Sequence, residues 1–344
     1  MMNDAQDVSF DVSGGLGDSL KYFNIDGTEA IHVDVWVEAL EDKFVWRDVL
    51  HNTDSYKFIL KGPDEAIAED GKVATGCGRL FSLEKQGVIK LGKDCIFCID
   101  SDDSFIKSFV PGFESVKQSR DHVYATNIYA IDNAFLYHVH IDESFEVSSC
   151  QGRHDVAVMP SRFIQDVTKP LFEPYISLCY LEAVGRAEEF SLSRKLLHKA
   201  VEKLCDVDLK NYGECSVFKS YGQEVAGISS ASLAAINAVG VEGYNAYKDK
   251  LSNCGISEAN IYLFVRGHSI FDAVSIVYDA VSYECKQNEI SRVSAQANTE
   301  NRIKNVERIW QKFSVYLKNK FHMGRVPVPF LQHSLVRLKQ DYSL

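Results

Sequence analysis

Residues 31–37 (IHVDVWV) crowd β-branched and aromatic side chains into a short run, the composition of a strand. Residues 42–50 follow with Phe44, Val45, Val49 and Leu50 at helical spacing. A second strand is predicted over 56–60 (YKFIL), ended by the breaker Lys61-Gly62-Pro63. Residues 76–86 place Leu80 and Leu83 three apart and predict a helix entered through a glycine turn. Residues 94–99 (DCIFCI) are nearly all apolar, as a central strand buried on both faces requires. A fourth strand is expected at 123–125, and 131–138 opens another helix. Strands alternating with helices imply βαβ units, a mostly parallel sheet flanked by helices and right-handed crossovers.

Beyond about residue 160 the period becomes helical throughout. Helices are expected over 172–190, 193–205, 230–251, 270–283 and 298–321. The last carries the stripe Ile303, Val306, Trp310, Phe313 and Leu317, with Lys304, Arg308 and Lys312 repeating at four-residue spacing on another face. The expected organisation is an extension over 1–24, an α/β domain over 25–150 and a helical domain over 160–344 with a basic C-terminal helix.

Composition narrows the function classes. The chain has 344 residues and a formal charge of −11, which argues against indiscriminate coating of nucleic acid, because phosphate binding runs on Lys and Arg. The charge is nevertheless polarised: residues 286–344 hold 11 Lys and Arg against 4 Asp and Glu, a net of +7, which leaves −18 for the rest. Nine scattered cysteines, most among apolar neighbours, read as reduced thiols. With no basic-plus-apolar leader and no apolar run approaching 18 residues, a cytoplasmic, non-membrane protein is expected.

Acidic residues stand where strands end. Glu38 follows the first strand, and Asp100, Ser101, Asp102 and Asp103 follow the buried strand ending at Ile99. Ligands of parallel α/β sheets gather at the carboxyl ends of strands. Hard oxygen ligands without accompanying His or Cys suit Mg²⁺ or Mn²⁺. Strand ends are also acidic for a local reason, since Asp forms turns and caps helices; spacing alone leaves both readings open.

The segments VEALEDKFVW (37–46), CIDSDDSF (98–105) and NIYAIDNAF (127–135), in that order, resemble a bacterial TOPRIM-like family. VRGHSIFDAV (265–274) is similar to an Arg/Lys-Gly-His segment in the helical part of that family. Its members are typically encoded beside ABC-type ATPases in defence islands, and the chain resembles the TOPRIM nuclease effectors of PARIS-type anti-phage systems. The resemblance covers residues 30–140 well and the rest thinly. It implies Glu38 as general acid/base or metal ligand, Asp100 and Asp102 as Mg²⁺ ligands, and Asp42 as the acid one helical turn on. Asp103, Asp132 and His268 are accessory candidates. Two positions depart from the family: Ala39 replaces a glycine and Asp132 a glutamate.

The resemblance implies a Mg²⁺- or Mn²⁺-dependent nuclease, with RNA (tRNA included) favoured over DNA. It would be a toxic effector restrained by an ABC-type ATPase partner and pairing into a homodimer. The alternative is a non-catalytic metal- or nucleotide-binding subunit regulating that ATPase. A primase- or topoisomerase-like activity ranks lowest, since no zinc ribbon or companion domain is visible. Arg79, behind Gly76-Cys77-Gly78 at a helix start, is a candidate phosphate clamp, or simply a solvated side chain after a glycine turn. The basic face of Lys304, Arg308 and Lys312 is a candidate backbone-tracking surface, or the solvated side of a packed helix. Cys95-x-x-Cys98 lacks a second pair and fits a buried strand better than zinc. His138-x-His140 lacks a third ligand. Gly14-Gly15-Leu16-Gly17 lacks the strand that a dinucleotide fingerprint needs.

Overall fold

The computed structural model describes residues 29–65, 76–152, 156–296 and 300–344; the glycine-rich segment at 14–17 and the extension over 1–24 lie outside them. Four strands, β1 (Ile31–Trp36), β2 (Tyr56–Lys61), β3 (Cys95–Ile99) and β4 (Val123–Ala125), form one parallel sheet in the order β2-β1-β3-β4. Helices flank the sheet and make up the C-terminal region, which is the α/β-plus-helical class that the alternating pattern predicts. β1 pairs with β2 (Val33 with Phe58) and with β3 (Val35 with Ile96). The near-continuous apolar run of β3 has its physical reason in that position: Ile96, Phe97, Cys98 and Ile99 are all buried. Cys95 and Cys98 are free thiols of this strand, and burial pushes both up, that of Cys95 to about 11.

Compactness divides the chain differently from the sequence-based boundaries. One unit comprises Met1–Ile99, Asp121–Tyr124 and Val336–Leu344; the other comprises Asp100–Arg120 and Ala125–Leu335. In the first, helix α1 (Asp42–Trp46) buries Trp46, and α2 (Cys77–Lys85) buries Leu80 and Leu83. The tail, whose pattern is ambiguous in sequence, is decided by packing. Tyr342 stacks edge-on against Tyr56 and Phe58 and donates its hydroxyl to the Lys93 carbonyl. Tyr124 donates to Asp341, and Arg337 donates to the Val123 carbonyl while lying over the Tyr124 ring.

The second unit is helical, built around a 28-residue helix α3 (Gly267–Ser294) that packs against most of its neighbours. Phe145, Phe163, Tyr278 and Phe313 form an aromatic cluster on it. Three expected helices are corrected here. The one over 172–190 ends at Leu181, because Gly185 turns left-handed (φ 90°), and a new helix runs over Ala187–Glu202. The one over 230–251 begins at Ser216 and breaks at Gly240 (φ 127°) into Ser216–Val239 and Val241–Asn253. The one over 298–321 divides into Glu300–Ile309 and Phe313–Lys320. That last break is held open by α3: Asp279 accepts the Ser314 backbone N–H and hydroxyl, and Ser282 accepts the Trp310 indole N–H. Among the described residues no single helix is long and apolar enough to cross a membrane; only the pair broken at Gly240, bent by 119°, reaches that composition together.

Candidate functional site

The Asp100–Asp103 turn belongs to the helical unit, and its conformation is fixed from within. Ser101 is fully buried; its N–H donates to the Thr126 hydroxyl, and its own hydroxyl oxygen accepts from the Asn127 N–H and the Gln118 amide. Asp102 takes a left-handed backbone (φ 47°), which Asp tolerates better than most residues, and donates its N–H to the Tyr129 carbonyl. The Asp100 carboxylate accepts the Ile131 N–H at 3.1 Å. The aspartates therefore stand on a rigid turn.

Lys117 closes this turn. Its ammonium lies 2.7 Å from the Asp100 carbonyl oxygen and 2.5 Å from an Asp102 carboxylate oxygen. A cation already sits among hard oxygens at the end of β3, and nothing in the sequence pattern points to Lys117 as its source.

Asp103 points into the helical unit instead. Its carboxylate accepts the Tyr175 hydroxyl at 2.6 Å and lies 3.6 Å from both Lys107 and Arg194. Arg194 makes a two-pronged contact with Glu182 (2.9 and 3.0 Å) and rests over the Tyr175 ring; Lys107 reaches Glu182 at 2.7 Å. Burial pushes the Asp103 carboxyl up, but Arg194 and Lys107 more than offset this and hold it below its ordinary value. Asp103 is thus a structural anchor for the turn that carries Asp102.

The two late motifs meet. Asn133 donates both amide hydrogens, to the carbonyls of Tyr262 and Val265, and accepts the Ala130 N–H, so it stitches residues 130–133 to 262–265. Gly267 packs so tightly that a side chain there would collide with Asn133 and press on Asp132. One residue on, His268 Nδ1 contacts the buried Asp132 carboxylate, which also faces Lys318 at 3.5 Å. Asp132, one methylene shorter than glutamate, thus reaches the His268 imidazole. Burial raises the Asp132 carboxyl, but His268 and Lys318 outweigh it and lower it; the hydrogen bond that the imidazole donates to Asp132 raises His268.

That pair predicts a pH effect on stability. A histidine raised above its unfolded value of about 6.5 stabilises the fold below that pH, and the contribution fades as pH climbs through the raised value. The melting-temperature gap between the wild type and His268→Gln should be widest near pH 6 and should narrow above pH 8; a pH-independent gap would refute the ion pair.

In the sheet-bearing unit, the Glu38 carbonyl accepts the Gly76 N–H at 3.1 Å and so ties the end of β1 to the start of α2. Asp42 accepts the Ala39 N–H at 3.0 Å, the local turn role that acidic residues commonly take. Arg79 lies within α2, and among the described residues its buried Nε has no hydrogen-bond partner. Of the basic face, Lys304 pairs with Glu300 and Lys312 with Asp279; the break after Ile309 separates Lys312 from the helix bearing Lys304 and Arg308. His140 is buried against the Leu317 carbonyl (2.9 Å) and is lowered by burial, a structural histidine.

Among the described residues, no group of three or more His, Cys, Asp or Glu side chains is gathered as for a metal ion. The donor chemistry at Asp100 and Asp102 is nonetheless of the right kind: oxygen only, and already arranged around an ammonium. The Asp100 carbonyl and the Asp102 carboxylate that meet the Lys117 ammonium are the kind of donors that Mg²⁺ or Mn²⁺ takes. A scan against family models finds none that matches the chain, and a search of curated proteins returns no match.

Proposed function

We propose that this chain is a metal-dependent nuclease that hydrolyses phosphodiester bonds of nucleic acid, RNA before DNA. As the family resemblance implies, it would be a toxic defence effector under an ABC-type ATPase partner. The observation that carries the reading is the cation seat at the carboxyl end of a parallel strand: the Asp100 carbonyl and the Asp102 carboxylate enclosing an ammonium. Asp100 and Asp102 would hold Mg²⁺ or Mn²⁺, which when bound polarises a phosphoryl oxygen and lowers the pKa of water. The chain's own part is to keep both aspartates on a turn that cannot collapse, through Ser101, Thr126, Asn127 and Tyr129. Lys117 supplies a tethered positive charge that gives way to the ion or moves onto the phosphate. The resemblance assigns Glu38 to the same chemistry. The test is cleavage of RNA and DNA in the presence and absence of Mg²⁺, with Glu38→Gln and Asp100→Asn; cleavage that persists in both variants would sink the assignment.

The Lys117 seat bears equally on the alternative, a non-catalytic metal- or nucleotide-binding subunit that regulates the ATPase. The two readings part on cleavage, and Mn²⁺ binding tests the seat itself. The Lys117–Asp102 pair is half-exposed at its carboxylate and is worth roughly 0.2–1 kcal/mol. Lys117→Met should therefore tighten Mn²⁺ binding up to about fivefold by electron paramagnetic resonance titration. No Mn²⁺ binding in either protein would overturn the metal seat.

A further inference from the structure

Arg266 and His268 flank the glycine that locks on Asn133 and Asp132, at the start of α3. The fates of their charges differ. The His268 imidazole is oriented by Asp132 through Nδ1, while the side chain as a whole is 70% exposed. Arg266 is half-buried, and among the described residues its guanidinium has neither a hydrogen bond nor an ion pair. Three nearby acids are already engaged: Asp103 and Glu182 by Arg194 and Lys107, and Asp132 by His268 and Lys318. Asp272, which also faces His268, is exposed. Among the described residues Arg194 itself keeps a buried Nη1 without a partner. Burial and the charges of Arg194 and Arg266 hold His198 neutral, lowering it to about 4.

The backbone ties this segment to the aspartate turn. Tyr129 donates its N–H to the Leu263 carbonyl and accepts from Asp102, and Ile131 donates to the Asp100 carboxylate. The segment around Arg266 and His268 is thus stitched to the residues that hold Asp100 and Asp102.

We propose that Arg266 and His268 form a phosphate-binding pair, with the guanidinium taking two oxygens of a phosphate group and the exposed edge of the imidazole a third. An unpaired guanidinium is the side chain best shaped for that oxyanion, and an imidazole braced by a carboxylate is a good donor to it. The pair deepens the nuclease reading by naming what holds the scissile or neighbouring phosphate, yet its affinity for phosphate does not depend on cleavage.

The experiment is a titration of the full chain with inorganic phosphate in EDTA, following the His268 ring protons by NMR over pH. The groups facing that ring are Asp132, Arg266 and Asp272, with Lys318 behind Asp132. In the wild type, phosphate should bind saturably and raise the His268 pKa. Arg266→Gln should weaken binding about tenfold to a hundredfold, and Arg266→Lys less, because a point charge lacks the planar fork. His268→Gln should weaken binding and abolish its pH dependence. A Lys210→Gln control, on a distant exposed ion pair, should bind as the wild type does. Oligonucleotides with and without a 5′-phosphate identify the owner: an Arg266-dependent gain from the terminal phosphate indicates a monoester, and equal affinities indicate the backbone. Undiminished phosphate binding by a folded Arg266→Gln protein, or no shift of His268 in the wild type, overturns the pair. A chain that cleaves with Arg266→Gln binding intact refutes the pair alone; one that binds through Arg266 but never cleaves refutes only the nuclease.

Discussion

Asp100→Asn should lower Mg²⁺-dependent cleavage about a thousandfold, roughly 4 kcal/mol of transition-state stabilisation, and leave the fold intact. The substitution separates two roles of one side chain. Asp100 accepts the Ile131 N–H at 3.1 Å, and an asparagine oxygen can accept it equally well, so the tie between the turn and residue 131 survives. What disappears is the carboxylate charge that the family resemblance assigns to a divalent ion; the main-chain carbonyl that Lys117 contacts is kept. Single-turnover cleavage beside thermal melting checks both halves. Equal rates in the two proteins would remove Asp100 from the chemistry. A large drop in melting temperature would show that its role is mainly structural.

Arg194→Met should destabilise the helical unit by about 3–5 kcal/mol, because it strips one of two shared cations, the other being Lys107, from two mostly buried acids. The Glu182 and Asp103 side chains are 12% and 22% exposed, and Arg194 is 11% exposed. Burial alone would push both carboxyls up; Arg194 and Lys107 turn the balance and hold both below their ordinary values. Carboxyls depressed in the fold contribute stability that is present above their unfolded values, near pH 4, and is lost as pH falls through the depressed ones. Urea unfolding at pH 7 should therefore show the full loss for Arg194→Met, and the gap from the wild type should shrink toward pH 3. The fourfold change Arg194→Met, Lys107→Met, Glu182→Leu, Asp103→Leu should recover part of the loss at pH 7, since apolar replacement of a whole buried network, Lys107 included, is less costly than orphaning its acids. Failure of the fourfold variant to recover would mean that the hydrogen bond from Tyr175 to Asp103, not the charge balance, sets the geometry.

The broken helices mark the limit of pattern reading. An apolar stripe at 3.6-residue spacing reports which side chains want burial, not whether the backbone stays helical between them. Val306, Phe313 and Leu317 are all buried as the stripe requires, yet the chain opens between Ile309 and Phe313, because Asp279 and Ser282 of another helix take up the freed groups. At Gly185 and Gly240 the signal was local and readable, since only a residue without Cβ settles readily at those positive φ values.

By itself the sequence determined the parallel sheet, the buried central strand and the acidic turn after it, because hydrophobic period and composition are local properties of a chain. The candidate residues of that turn were legible for the same reason. Only the tertiary structure decided that Lys117 fills the space between Asp100 and Asp102, that Asp103 turns away to Arg194, and that Asp132 reaches His268 across more than a hundred positions of chain. Those pairings depend on which distant charges meet once the helices pack, and no spacing along the sequence encodes a meeting of that kind.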